Sequence, residues 1–284
     1  MFNRGCGQKH NFYLERKVNI MSTFGKKMVV LVLGMSLILG VFCLQASAHD
    51  MWLNMRHYTS DAGKPAYLTI GYGHYFAGPG GEFMPQEYLD KVYIIGPDGR
   101  KLKLKPKNEV EYQSKKSLTK AGTYLVVASK KGGFSTKTTE GYKKGRSKKG
   151  LKNVISCSYS EKYAKAIVNI GNGSGNVFSK TLGHKLEIVP LEDPSNLREG
   201  DYMPIKVTFE GEPLRAPVVA TYAGFSTEKG AFAYATKTNK EGIAKVKIIK
   251  SGIWLVIVKH KVPYPDQAKC DMISCSSALT FEVK

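Results

Sequence analysis

The stretch His49-Asp50-Met51-Trp52-Leu53-Asn54-Met55-Arg56-His57-Tyr58, then Thr59-Ser60-Asp61-Ala62-Gly63-Lys64-Pro65, then Ala66-Tyr67-Leu68-Thr69-Ile70-Gly71-Tyr72-Gly73-His74-Tyr75, carries two apolar alternations around a turn. Alternation at period two marks a strand with one buried face, and Asp61-Ala62-Gly63 supplies the turn chemistry between the two runs. A hairpin centred between Asp61 and Ala62 pairs residues whose numbers sum to 123, setting Met51 against Tyr72, Leu53 against Ile70 and Met55 against Leu68. All six fall on one apolar face, as a fixed register requires. The same register sets His49 against His74, with Cβ atoms roughly 5 Å apart. His57 shares that face but lies about eight residues, some 25 Å, along the strand, and is expected outside any shared site.

Outward from this hairpin the chain continues as short strand candidates separated by turn signals: Pro97-Asp98-Gly99, Lys120-Ala121-Gly122, Glu210-Gly211-Glu212-Pro213 and Asn239-Lys240-Glu241-Gly242. Such spacing favours an all-β sandwich. The run Ile170-Gly171-Asn172-Gly173-Ser174-Gly175-Asn176 reads as a flexible connection, with a fresh strand near Lys185. Two β-sandwich domains are therefore expected, residues 49–182 and residues 183–284. In the second, Leu186 to Val189, Ile205 to Phe209, Val218 to Tyr222, Ala244 to Ile248, Trp254 to Val258 and Leu279 to Val283 suit an immunoglobulin-like or transthyretin-like module, with Trp254 as a core plug.

Residues 1–48 are read apart from the fold. Lys26 and Lys27 precede an uncharged stretch from Met28 to Gln45 that closes on Ala46-Ser47-Ala48, the order of a secretory signal peptide, with Met21 the more ordinary start. Bulky Phe42 before Cys43 argues against a lipoprotein. Cleavage after Ala48 takes the formal charge of +20 on 284 residues to +15 on 236. No later apolar run approaches membrane-spanning length, so a soluble, exported, periplasmic protein is expected. Cys157, Cys270 and Cys275 remain in an oxidising compartment, and proximity alone favours Cys270 with Cys275.

Between residues 130 and 152 nine basic residues face the single acid Glu140, interleaved with glycine. This composition reads as an exposed basic loop, either merely solvated or docking on an anionic membrane surface or an acidic partner. A nucleic-acid role would require an aromatic stacking platform or a reading motif, and an exported protein rarely meets such targets.

Cleavage after Ala48 would give His49 a free amine beside its imidazole, a pair able to chelate one transition metal, with nickel, copper, cobalt and zinc all suited to imidazole. His74, opposite in register, is the second candidate ligand, while His184 and His260 read as surface or structural residues. Met51 and Met55 lie on the strand face of His49, and their thioethers keep copper as an alternative ion. Enzyme classes fare worse: there is no Gly-x-Ser-x-Gly elbow, phosphate-cradling loop, paired catalytic carboxylates or spaced Cys/His constellation. A copper oxidase would need a flat aromatic substrate face, which the sequence does not offer.

Ala48-His49-Asp50-Met51-Trp52-Leu53, Gly73-His74-Tyr75-Phe76 and Pro97-Asp98-Gly99 resemble the first half of the NikM-like family of exported proteins associated with nickel and cobalt uptake. The second half is more similar still, through Lys162-Tyr163-Ala164-Lys165-Ala166, Gly183 to Pro194, Asn239-Lys240-Glu241-Gly242, Ser251-Gly252-Ile253-Trp254 and Ser277 to Val283. The resemblance implies a periplasmic protein of two β-sandwich domains, and its histidine motifs land on His49 and His74. It implies a non-enzymatic protein that binds nickel or cobalt and supplies a membrane metal transporter. The lysine-rich segment and the three cysteines depart from the family pattern. A metal-free structural or interaction module of the cell envelope is the reading from a different class.

Overall fold

The computed structural model describes residues 49–76, 82–172 and 175–284. The signal-peptide reading of residues 1–48 lies outside them. Among the described residues the fold is all-β: β1 (Asp50–Met55), β2 (Thr59–Ser60), β3 (Tyr67–Gly73), β4 (Leu89–Ile95), β5 (Lys101–Pro106), β6 (Glu111–Ser114), β7 (Gly122–Thr138), β8 (Gly141–Lys144), β9 (Val154–Ile170), β10 (Leu186–Pro190), β11 (Tyr202–Phe209), β12 (Glu212–Pro213), β13 (Pro217–Tyr222), β14 (Tyr234–Lys237), β15 (Ile243–Lys247), β16 (Gly252–Pro263) and β17 (Met272–Val283). Three short 3-10 turns interrupt them, and among the described residues no helix is long and apolar enough to cross a membrane.

The larger sheet runs in the order β1-β3-β6-β5-β4-β7-β9-β17-β16-β13-β14, and the smaller in the order β10-β11-β12, with β15 beside β12 on the edge of β11 away from β10. Pairings are antiparallel except where β9 meets β17 and β2. The β9–β17 ladder joins the last strand of the chain to one that precedes residue 182. The β1–β3 hairpin folds back so that β1 lies across β9 and β17. Two sandwich cores therefore share one middle sheet. Leu125, Val127, Trp254, Val256 and Phe281 face the small sheet, while Tyr124, Val126, Leu255, Ile257 and Ala278 face the folded-back hairpin. A strand buried on both faces must be apolar at consecutive positions, which is why Tyr124 to Ala128 and Trp254 to Val258 read as unbroken runs. Trp254 is fully buried and donates its indole N–H to the Lys250 carbonyl at 2.8 Å, a core plug as expected.

The β1–β3 register agrees with the sequence arithmetic at every pair from Asp50–Gly73 to Met55–Leu68. The connection is not a tight turn, however. Thr59 and Ser60 leave the hairpin to pair with Asn169 and Ile170, and Lys64 bridges to Leu118. Register is held by the buried face, not by the turn. Gly71 within β3 has a packing reason: a Cβ there would come within 2.2 Å of the Trp52 ring, which crosses directly over it.

Two expectations are corrected. Much of the basic segment is strand, not loop: β7 runs to Thr138 and turns into β8, with Thr136 and Thr138 buried on alternate positions. Phe134 packs against Tyr159 and Tyr264 at ring distances of 4.9 and 5.6 Å. Gly132 makes room for the Tyr159 ring, whose hydroxyl would lie 2.0 Å from an added Cβ. Gly132, one of the glycines that suggested a loop, serves close packing. The disulfide joins Cys157 to Cys270, with Cα atoms 5.0 Å apart, and leaves Cys275 a buried thiol. The parallel ladder brings β9 beside the start of β17, so spatial proximity overrides sequence proximity.

Candidate metal centre

His49 stands at the foot of β1 and His74 just past the end of β3, where the hairpin register leaves them opposite each other. Their rings lie 4.2 Å apart, centre to centre, inclined at 37°. The His49 ring also stacks on Tyr72 at 4.8 Å. Its side chain is 42% exposed, so the pair opens to solvent. The His74 backbone is fixed from the second half of the chain, its carbonyl accepting the Gly230 N–H at 3.0 Å.

Glu82 is the third polar group at the site. Its carbonyl accepts the Tyr72 N–H at 2.9 Å, and Phe83 bridges Gly71, so this segment lies along β3. That placement sets Glu82 Oε2 3.7 Å from His49 Nε2. No sequence periodicity pointed to Glu82, because it arrives through a short pairing beside glycine-rich residues.

Beneath the histidines lies a charged cluster that the sequence reading missed. Asp50 is buried, with Oδ2 2.8 Å from the Lys259 ammonium and Oδ1 without a hydrogen-bond partner. Lys162 of β9 is buried nearby, and burial pushes its ammonium down to about 8 despite the opposing pull of Asp50. Burial likewise lowers the His49 pKa, with His74 lowering it further and Glu82 opposing. A neutral imidazole is the form that donates a lone pair to a metal.

Whether these residues fit a metal turns on donors left without partners. His74 Nδ1 is buried and makes no hydrogen bond, an arrangement that costs free energy unless something else satisfies the nitrogen. Side chains alone do not enclose an ion: among the described residues no group of three or more His, Cys, Asp or Glu is gathered closely enough. Two imidazoles with a backbone amine at His49 would supply three nitrogen donors without a further side chain. Met51 and Met55 are each 1% exposed and packed in the apolar core, not presented beside the rings.

The other histidines of the described residues stand apart from this pair. His57 is exposed near the Arg56 end of the hairpin. His184 stacks on Tyr163 at 4.6 Å, and burial, with Lys165 close by, pushes it down to about 4. His260 packs edge-on against Phe209 at 4.7 Å.

The model of a family described as "Domain of unknown function (DUF4198)" matches residues 46–262. No curated protein matches the chain. Among solved structures, the D0-D1 domain of intimin is 12% identical, covering 81% of this chain and 97% of its own, with a TM-score of 0.21. The Escherichia coli adhesin FdeC is 12% identical, covering 84% of this chain and 65% of its own, with a TM-score of 0.23. The alpha-2-macroglobulin of the same organism is 9% identical, covering 84% of this chain and 20% of its own, with a TM-score of 0.23.

Proposed function

The chain belongs to the DUF4198 family, and we propose that it is a NikM-like, non-enzymatic, periplasmic metal-binding protein that captures nickel or cobalt and supplies a membrane uptake system. The observation that carries this reading is the pairing of His49 with His74 at 4.2 Å, with His74 Nδ1 buried and unpartnered. In this reading, cleavage after Ala48 converts the His49 backbone nitrogen from an amide into an amine. An amide N–H is a poor donor to a divalent ion, whereas a neutral amine and a neutral ring nitrogen of one residue chelate it together. His74 contributes the second imidazole from a backbone whose carbonyl is held by the Gly230 N–H. The metal is cargo, so an open site suits release as well as capture.

The test is calorimetric titration of nickel, cobalt and copper into the protein beginning at His49, into a version carrying one extra residue before His49, and into His74→Ala. The expected result is one ion per chain for the first form, weakened at least tenfold in each of the others. Equal affinity with and without the extra residue would overturn the terminal chelate. Absence of binding in all three forms would leave the metal-free envelope module as the surviving reading.

A further inference from the structure

The hairpin built by the outer ends of β7 and β9 with β8 carries a surface that the metal site does not use. Past the last β4 pair, Leu89 with Lys130, and the first β17 pair, Met272 with Ser158, the ends of β7 and β9 pair only with each other and with β8. Within this end the ladder sets Lys137 against Tyr142 on one side and against Ser156 on the other. A bulge adds Ile155 to the same row, because Thr138 already pairs with Val154. Tyr142 and Ile155 are 60% and 57% exposed, the two most exposed large apolar side chains among the described residues. Neither completes a core.

Cations frame this row. Lys137, Lys144, Arg146, Lys149 and Lys152 are all exposed and have no carboxylate within ion-pairing distance among the described residues. The remaining lysines nearby are engaged: Lys143 with Glu140 at 3.5 Å and Lys148 with the Asp271 carboxylate. The hairpin is also anchored, since Lys148 N–H bonds the Lys269 carbonyl at 3.0 Å and the Cys157–Cys270 disulfide closes its base.

We propose that this hairpin end docks the protein on an anionic phospholipid bilayer, with Tyr142 and Ile155 entering the headgroup boundary and the surrounding cations meeting lipid phosphates. A protruding aromatic and an aliphatic side chain ringed by long basic ones match that boundary, where the apolar groups gain burial while the ammoniums stay with the phosphates. A second copy of the chain is disfavoured as occupant by the repulsion of five unpaired cations against their counterparts. The surface is independent of whether the two histidines take a metal, although Lys144 lies close enough for its charge to act on His49.

The test is co-sedimentation of the protein beginning at His49 with vesicles of phosphatidylcholine alone and of an equal mixture of phosphatidylcholine and phosphatidylglycerol. A Tyr142→Trp variant adds a direct reporter, because the native Trp52 and Trp254 are 2% and 0% exposed and insensitive to the surface. Expected are binding to the anionic vesicles only, a blue shift of the introduced indole's emission on binding, and loss at high salt. Lys137→Gln/Lys144→Gln/Lys149→Gln should weaken binding at least tenfold, and Tyr142→Ser/Ile155→Ser severalfold, both with unchanged thermal stability. Binding to neither vesicle, equal binding to both, or capture of an acidic protein surface with no emission shift on lipid would overturn the proposal.

Discussion

Replacing Lys162 with methionine tests the electrostatics beneath the histidine pair. The side chain is 6% exposed, and burial lowers its ammonium from 10.5 to about 8, with Asp50 opposing and Lys259 and Lys130 reinforcing. A cation whose folded-state pKa lies below its unfolded value binds fewer protons in the folded state than in the unfolded one between those two values. It therefore destabilises the fold below about pH 8, and that cost is relieved as the pH rises toward 10.5. From the two pKa values the cost is about 3 kcal/mol at pH 7, about 2 kcal/mol at pH 9 and under about 1 kcal/mol at pH 10.5. Lys162→Met removes it while keeping a flexible apolar stem of similar length. Imperfect packing of the new thioether adds an offset below about 1.5 kcal/mol that does not depend on pH. Cys275, pushed up to about 11 by burial, acts with the opposite sign between pH 9 and 11, but it is present in both proteins, and only its coupling to Lys162, the least of the influences on it, enters their difference. Urea unfolding followed by circular dichroism at pH 7, 9 and 10.5 should show the variant's advantage shrinking by about 3 kcal/mol across the series. A gap that stays constant with pH would refute the reasoning, whatever its size.

Two further outcomes are expected. Lys165 and Glu187 form an ion pair in which each side chain is 1% exposed, and Glu187 also accepts the N–H groups of Leu182 at 2.7 Å and Gly183 at 3.0 Å. Lys165→Met should cost about 3–5 kcal/mol in chemical denaturation by leaving that carboxylate buried without its cation, with part recovered in Lys165→Met/Glu187→Gln; an unaffected single variant would contradict this. Removing the disulfide by Cys157→Ser/Cys270→Ser releases a link across 113 residues and should cost roughly 4–5 kcal/mol. Non-reducing peptide mapping should recover Cys157 linked to Cys270, and a Cys270–Cys275 link would overturn the assignment.

The β1–β3 register was readable because three apolar pairs share one face, and a slip of one residue would turn all of them to solvent. The same arithmetic extended to His49 and His74, whose rings do meet. Trp254 and the strands around it were legible for the same reason. Glu82 was not, because its approach depends on Phe83 pairing with Gly71, a contact that no local pattern announces. The ordered hairpin after Lys130 was misread because composition weighs lysine and glycine without regard to which face each side chain takes. Asp50 and Lys162 were passed over as ordinary charges, and only the folding of β1 across β9 makes them neighbours under cover.

By itself the sequence determined the all-β class, the hairpin register and the two candidate ligands, since each follows from period-two alternation within a short span. The tertiary structure decided that the two sandwich cores share one middle sheet, that Cys157 takes Cys270, and that a basic stretch stands as a strand-built platform. The third depends on the β7–β8–β9 ladder, held at its base by the disulfide, and the first two on the parallel pairing of β9 with β17. Such pairing brings together residues more than a hundred positions apart, and its energy comes from cores that exist only once both strands are in place.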